Sequence, residues 1–96
     1  MAQNLHITYS LKAPEQSQER VAAVIKTLGL WARVTPTFWY VKSEFSADQV
    51  RDVIVQTLGI GDSVYVADAT SNFAAWHNID RLTADLILTN WFDKAA

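Results

Sequence analysis

Ninety-six residues, half of them hydrophobic and 19% charged, make one globular domain and exclude a disordered chain. The absence of cysteine removes disulfides, thiolate zinc sites and cysteine nucleophiles, and a net charge of −2 offers no global basic surface for long phosphate contacts. No apolar run reaches the length of a membrane span, and the N-terminal MAQNLHITYS lacks a basic region followed by a long apolar core, so a soluble, cytoplasmic protein is expected.

The first predicted element is a strand. In LHITYS, Leu5, Ile7 and Tyr9 alternate with His6, Thr8 and Ser10, which gives the strand two chemically different faces. Pro14 suits the first turn of a helix, where its missing N–H costs nothing, and Val21, Val24, Ile25 and Leu28 recur at helical spacing up to a stop at Gly29. LWARV and TFWYVKS are rich in aromatic and β-branched residues and are joined by TPT as a hairpin. Ser46 to Gln49, SADQ, is a capping box opening a second helix. Val50, Val53, Ile54 and Leu58 form the buried stripe of that helix, and Gly59 or Gly61 ends it. DSVYVADA reads as a fourth strand, and NIDRLTADLILTNWF as a last helix with Arg81 and Asp85 placed to pair.

Strand, helix, strand, strand, helix, strand is the order of an α+β, ferredoxin-like βαββαβ sandwich, here with an extra C-terminal helix. One domain is expected over residues 1–96, with a core at 4–69 and an extension at 77–92. Right-handed crossovers place the first and third strands in the middle and both helices on one face. Leu5, Ile7, Tyr9, Trp39, Val41, Val64 and Val66 are expected to point at those helices. The opposite face then carries His6, Thr8, Ser10, Phe38, Tyr40, Lys42, Tyr65 and Ala67, an aromatic and polar surface suited to an interface or to stacked bases. Four Trp, four Phe and three Tyr exceed what a small core needs, which also places some aromatics at an interface. In the last helix, Ile79, Leu82 and Leu86 form one apolar line and Ala84, Leu88 and Trp91 another. Burial of these lines in a dimer and packing against the helix's own domain both remain open.

Few residues of the chain stand in a pattern that carries chemistry. His6 and His77 have no partner at metal-ligand spacing. Ser10 has no nucleophile-elbow context, and the three glycines do not form a phosphate loop. Asp62 opens the fourth strand near the tip that carries Ser10, whereas Asp68 closes it at the other end of the sheet. Glu15 and Glu19 are helical first-turn acids. Asp62 and Glu15 are thus the weak carboxylate candidates, and Asp62 is also a natural turn residue. The basic residues Lys12, Arg20, Lys26, Arg33, Lys42 and Arg51 read as scattered solvated charges.

Taken together, TYSL, TLGLW, TFWYVKS, SADQVRDVI and DSVYVADAT resemble the SinR-like proteins, relatives of the VapD toxins and of the small CRISPR-associated nucleases. The resemblance runs from about Leu5 to Trp76. It implies a ferredoxin-like homodimer. In the nuclease branch it also implies an Asp at the tip of the first strand that faces its copy across the dimer axis and holds a divalent metal. Here that position reads Tyr9-Ser10. A neutral hydroxyl neither neutralises Mg²⁺ nor lowers the pKa of bound water, so the resemblance supports fold and dimer more than catalysis.

The expectation is therefore a homodimeric, non-catalytic relative of these nucleases, without a cofactor, binding protein or nucleic acid in a defence or mobile-element context. Its interface is expected to draw on His6, Thr8, Ser10, Phe38, Tyr40, Lys42, Tyr65, Leu88 and Trp91. One alternative is a metal-dependent endoribonuclease using Asp62 or Glu15 with Ser10, in which case Mg²⁺ or Mn²⁺ is required. Another is a sheet that binds single-stranded RNA through Phe38, Tyr40 and Tyr65, although neither the charge nor TFWYVKS matches the usual RNA-recognition pattern.

Overall fold

The alternation of Leu5, Ile7 and Tyr9 with more polar neighbours produces β1 (Gln3–Ser10), and the structure buries those three residues while leaving Thr8 and Ser10 exposed. The structure is a computed structural model that describes residues 2–70 and 81–91, the side chain of Trp91 excepted. Pro14 starts α1 (Pro14–Ile25), whose Val21, Ala22 and Ile25 are buried. β2 (Leu30–Thr35) and β3 (Phe38–Ser43) follow as a hairpin turning at Pro36 and Thr37, with a register irregularity between Arg33 and Thr35. α2 (Ala47–Val55) opens on the expected capping box: Ser46 accepts from the Gln49 N–H, and the Gln49 side chain accepts from the Ser46 N–H at 2.9 Å. β4 (Ser63–Asp68) and α3 (Arg81–Trp91) complete the order.

The four strands form one antiparallel sheet in the order β2-β3-β1-β4. β1 is therefore central, pairing Ile7 with Trp39 on one side and Val66 on the other. α1 and α2 cover the odd-numbered face of β1. Val21, Ala22, Ile25, Val50 and Ile54 pack there with Leu5, Ile7, Tyr9, Trp39 and Val41. The fold is thus mixed α+β, with two helices layered on one side of the sheet.

α3 lies on the other side, against β2 and the adjoining part of β3. A second, smaller core forms there from Ala32, Tyr40, Ala69 and Ile87, with Val34 against it. The helix packs against its own domain through this core. Its buried residue belongs to neither expected line. Ile87 points inward with Thr83 and Ala84 half-buried beside it, so Leu82, Leu86 and Leu88 are turned outward and remain exposed. Ile79 lies outside the described residues. Arg81 and Asp85 approach to 3.9 Å on the exposed surface, where such a pair contributes little.

Two glycines depart from the stop signals read in the sequence. α1 ends at Ile25, and its last carbonyls are satisfied by tight turns: the Thr27 hydroxyl donates to Val24 at 2.6 Å and the Leu28 N–H to Ile25 at 3.0 Å. Gly29 has a different reason to be glycine. A Cβ there would sit 2.1 Å from the Lys42 carbonyl oxygen, so β2 can enter the sheet at this point only with no side chain. Gly61 has φ +88°, a left-handed turn residue leading into β4. Gly29→Ala is expected to lower stability by about 1–3 kcal/mol, the usual range for forced overpacking, read as a lower urea midpoint with an unchanged slope.

Candidate functional site

The even-numbered residues of β1 form the spine of the second sheet face, and strand register lays their neighbours out in rows. Thr8 lies between Phe38 and Tyr65, His6 between Tyr40 and Ala67, and Asn4 beside Lys42, while Ser10 pairs with Ser63 at the tip. α3 packs on this face mainly over β2 and β3. Thr8, Ser10, Ser63 and Tyr65 stay exposed, and Tyr65 keeps 68% of its surface accessible. A surface depression of about 340 Å³ runs between them, lined by Thr8, Tyr9, Ser10, Ser63, Val64 and Tyr65.

Tyr40 is not part of this open surface. It was expected to face an interface, but it is almost fully buried under α3, and its hydroxyl donates to Asn4 Oδ1 at 2.6 Å. The reason is steric and chemical together: Ala32 beside it is small enough to admit Ile87, and Asn4 accepts a hydrogen bond from the buried hydroxyl. Burial pushes the Tyr40 phenol up to about 12. His6 is half-buried with Phe38 edge-on at 5.5 Å, and burial holds its imidazole below the usual 6.5. Lys42 is half-buried. Leu88 is exposed on the outer side of α3, and the side chain of Trp91, like His77, lies outside what is described.

The structure brings Asp62 beside the Ser10 tip but turns its carboxylate to another task. One oxygen accepts from the Lys12 N–H and the other from the Gly59 N–H, both at 2.8 Å, so Asp62 clips the loop after β1 to the loop before β4. These two N–H donors, helped by the nearby Arg20 and Lys12 charges, hold its pKa below the ordinary carboxylate value. Glu15 is exposed in the first turn of α1 and makes no hydrogen bond or ion pair to Ser10 or Asp62. Among the described residues no group of three His, Cys, Asp or Glu side chains is placed to hold a metal. At the tip stand two facing hydroxyls, Ser10 and Ser63, flanked by an exposed phenol. This set can donate and accept hydrogen bonds and offer an aromatic surface. Ser63 was not anticipated as part of it, although the antiparallel pairing of β1 with β4 places it there directly. Asn4, the buried acceptor that completes the covered half of the face, gave no sequence signal.

Comparison with protein-family models finds no match, and comparison with curated proteins finds none of significance.

Two titrations follow from the buried groups. A tyrosine phase near pH 12 should be visible in the near-ultraviolet and vanish in Tyr40→Phe. Because the folded phenol holds its proton when the unfolded one has lost it, this group's contribution is intact below pH 10 and falls as pH rises from 10 towards 12. For His6 the sign is opposite. Its folded pKa is depressed, so its contribution is complete above pH 6.5 and declines on acidification, which proton NMR of the imidazole together with stability curves can follow.

Proposed function

We propose that the chain is a ferredoxin-like, homodimeric and non-catalytic relative of the SinR-like, VapD-type and small CRISPR-associated nucleases. It acts in the cytoplasm by binding protein or nucleic acid in a defence or mobile-element setting. The observation that carries this reading is the tip of β1. Ser10 stands where the resembling nucleases have their metal-binding acid, and the nearest carboxylate, Asp62, is engaged by two backbone N–H groups. A serine hydroxyl brings no negative charge to a cation, and an Asp62 already held in a loop clip has little left to offer one. The element order and the strand order β2-β3-β1-β4 agree with the ferredoxin-like class. The exposed row of Thr8 and Tyr65 beside Phe38 supplies the binding surface.

The endoribonuclease alternative, with Mg²⁺ or Mn²⁺, would have to release Asp62 from both donors. The RNA-binding alternative retains Phe38 and Tyr65 but loses Tyr40 to the α3 core. Incubating the chain with single- and double-stranded RNA and Mn²⁺ should leave both intact, while Ser10→Asp should acquire measurable Mn²⁺ affinity. Metal-dependent cleavage by the wild type that disappears in a folded Asp62→Asn variant would overturn the non-catalytic reading.

A further inference from the structure

The two edges of the sheet are unlike each other. The β2 edge is guarded: its pairing is irregular between Arg33 and Thr35, Pro36 follows at once, and Lys26 lies over the Trp31 ring at 4.9 Å. The β4 edge carries Ser63, Val64, Tyr65, Val66 and Ala67, with no proline, no bulge in its pairing with β1 and no charge before Asp68. Such an edge is a template for a further strand.

Backbone hydrogen bonding fixes the direction of its free groups. The Ala69 N–H donates to the Asn4 carbonyl at 2.8 Å, so Ala69 faces β1. N–H and C=O groups change sides with each residue along an antiparallel strand. Ala67, Tyr65 and Ser63 therefore also face β1, and Val64, Val66 and Asp68 turn their N–H and C=O groups outward.

We propose that this edge pairs with β4 of a second copy, antiparallel, about a two-fold axis through Tyr65. This rests on the homodimer reading above but places the two-fold axis at the β4 edge and not at the β1 tip, so that the two Ser10 residues do not face each other. A two-fold axis perpendicular to the sheet must fall on a residue, since opposed side chains share a face and side chains alternate with period 2. With Tyr65 on the axis, Val64 lies opposite the partner's Val66, and the outward N–H and C=O groups of both meet. Ser63 lies opposite the partner's Ala67, and the exposed Tyr65 ring meets its own copy. Pairing one residue further along would instead set Val64 against Asp68.

Charge also fits a second copy. Under this edge, Asp48 and Arg51 of α2 line a hollow of about 330 Å³ with Ala47, Val64, Tyr65 and Val66. Arg51 contacts the neighbouring Asp52 at 2.8 Å on the same exposed surface. A two-fold axis at Tyr65 brings each Asp48 towards the partner's α2 and its Arg51, so the hollow is complementary to itself.

The test is the mass of the full chain in solution, by analytical ultracentrifugation over a range of concentrations. The wild type should be a dimer. Val66→Pro removes an outward N–H that the sheet does not use among the described residues, so it should keep its circular dichroism and sediment as a monomer. Ala67→Pro removes an inward N–H and should unfold more readily. A folded Val66→Pro variant that stays dimeric overturns the β4 edge and leaves the homodimer reading standing on another surface. A wild type that is monomeric at every concentration overturns both, and leaves the edge to a strand of a different protein. If Val66→Pro fails to fold, the charge pair decides: Arg51→Glu should raise the dimer dissociation constant several-fold, and adding Asp48→Lys should restore it. No change in either overturns the proposal.

Discussion

The hydrogen bond from the Trp39 indole to the Tyr9 hydroxyl, 3.0 Å long and fully inside the larger core, sets the geometry on which the rest depends. An indole N–H in such a place must find an acceptor, and the Tyr9 hydroxyl in turn donates to the Pro36 carbonyl at 3.2 Å. Three elements are thereby tied at one point: the end of β1, the start of β3 and the turn between β2 and β3. A slip of one residue between β1 and β3 would break this chain and turn Thr8 and Ser10 into the core. The exposure of the serine tip is thus a consequence of how a buried tryptophan is satisfied. At the other end of the sheet, the Tyr40–Asn4 bond plays the corresponding part on the opposite face.

The two faces of the sheet are filled unequally. The α1/α2 side holds most of the large buried residues, and Arg33 closes its margin by lying over the Trp39 ring at 4.9 Å, donating to the Pro36 carbonyl and approaching Glu19. The α3 side rests on a few contacts around Ile87 and Tyr40. One helix cannot cover four strands, and the part it leaves open is the β1/β4 half where Thr8, Ser10, Ser63 and Tyr65 lie. Composition had already suggested more aromatic surface than a core needs. The structure locates part of the excess at Tyr65 and Trp31, both exposed, while Tyr40 is absorbed into the smaller core.

Strong periodicity made the strands, the first two helices and the capping box legible in the sequence, because each is decided by local pattern and by one face being buried, although Val53, expected in the buried stripe of α2, is exposed beside the buried Val50 and Ile54. The position of Asp62 near Ser10 was legible for the same reason, through strand direction. What could not be read was anything decided by a distant partner. Ile87 sits between Leu86 and Leu88 in a helix apolar on several sides, and only the small Ala32 opposite determines which residue goes in. Tyr40 alternates correctly with Trp39 and Val41 and so falls on the second face, but whether that face is wet depends on α3. Gly29 looked like a helix stop, whereas the backbone carbonyl of Lys42, far along the chain, is what excludes a side chain there.

The central place of β1 has a further consequence for the way the molecule assembles. Its Gln3 meets Ser43 and its Leu5 meets Asp68, so β1, which precedes both partners in the chain, has no neighbour until the hairpin, and no second neighbour until β4, has been made. During that interval Leu5, Ile7 and Tyr9 form a nascent apolar strip whose partners do not yet exist. Contacts so distant in sequence require large loops to close before they stabilise anything, which slows folding relative to a chain of local helices. The same alternation that buries Leu5, Ile7 and Tyr9 in the finished protein leaves them uncovered until both neighbouring strands exist.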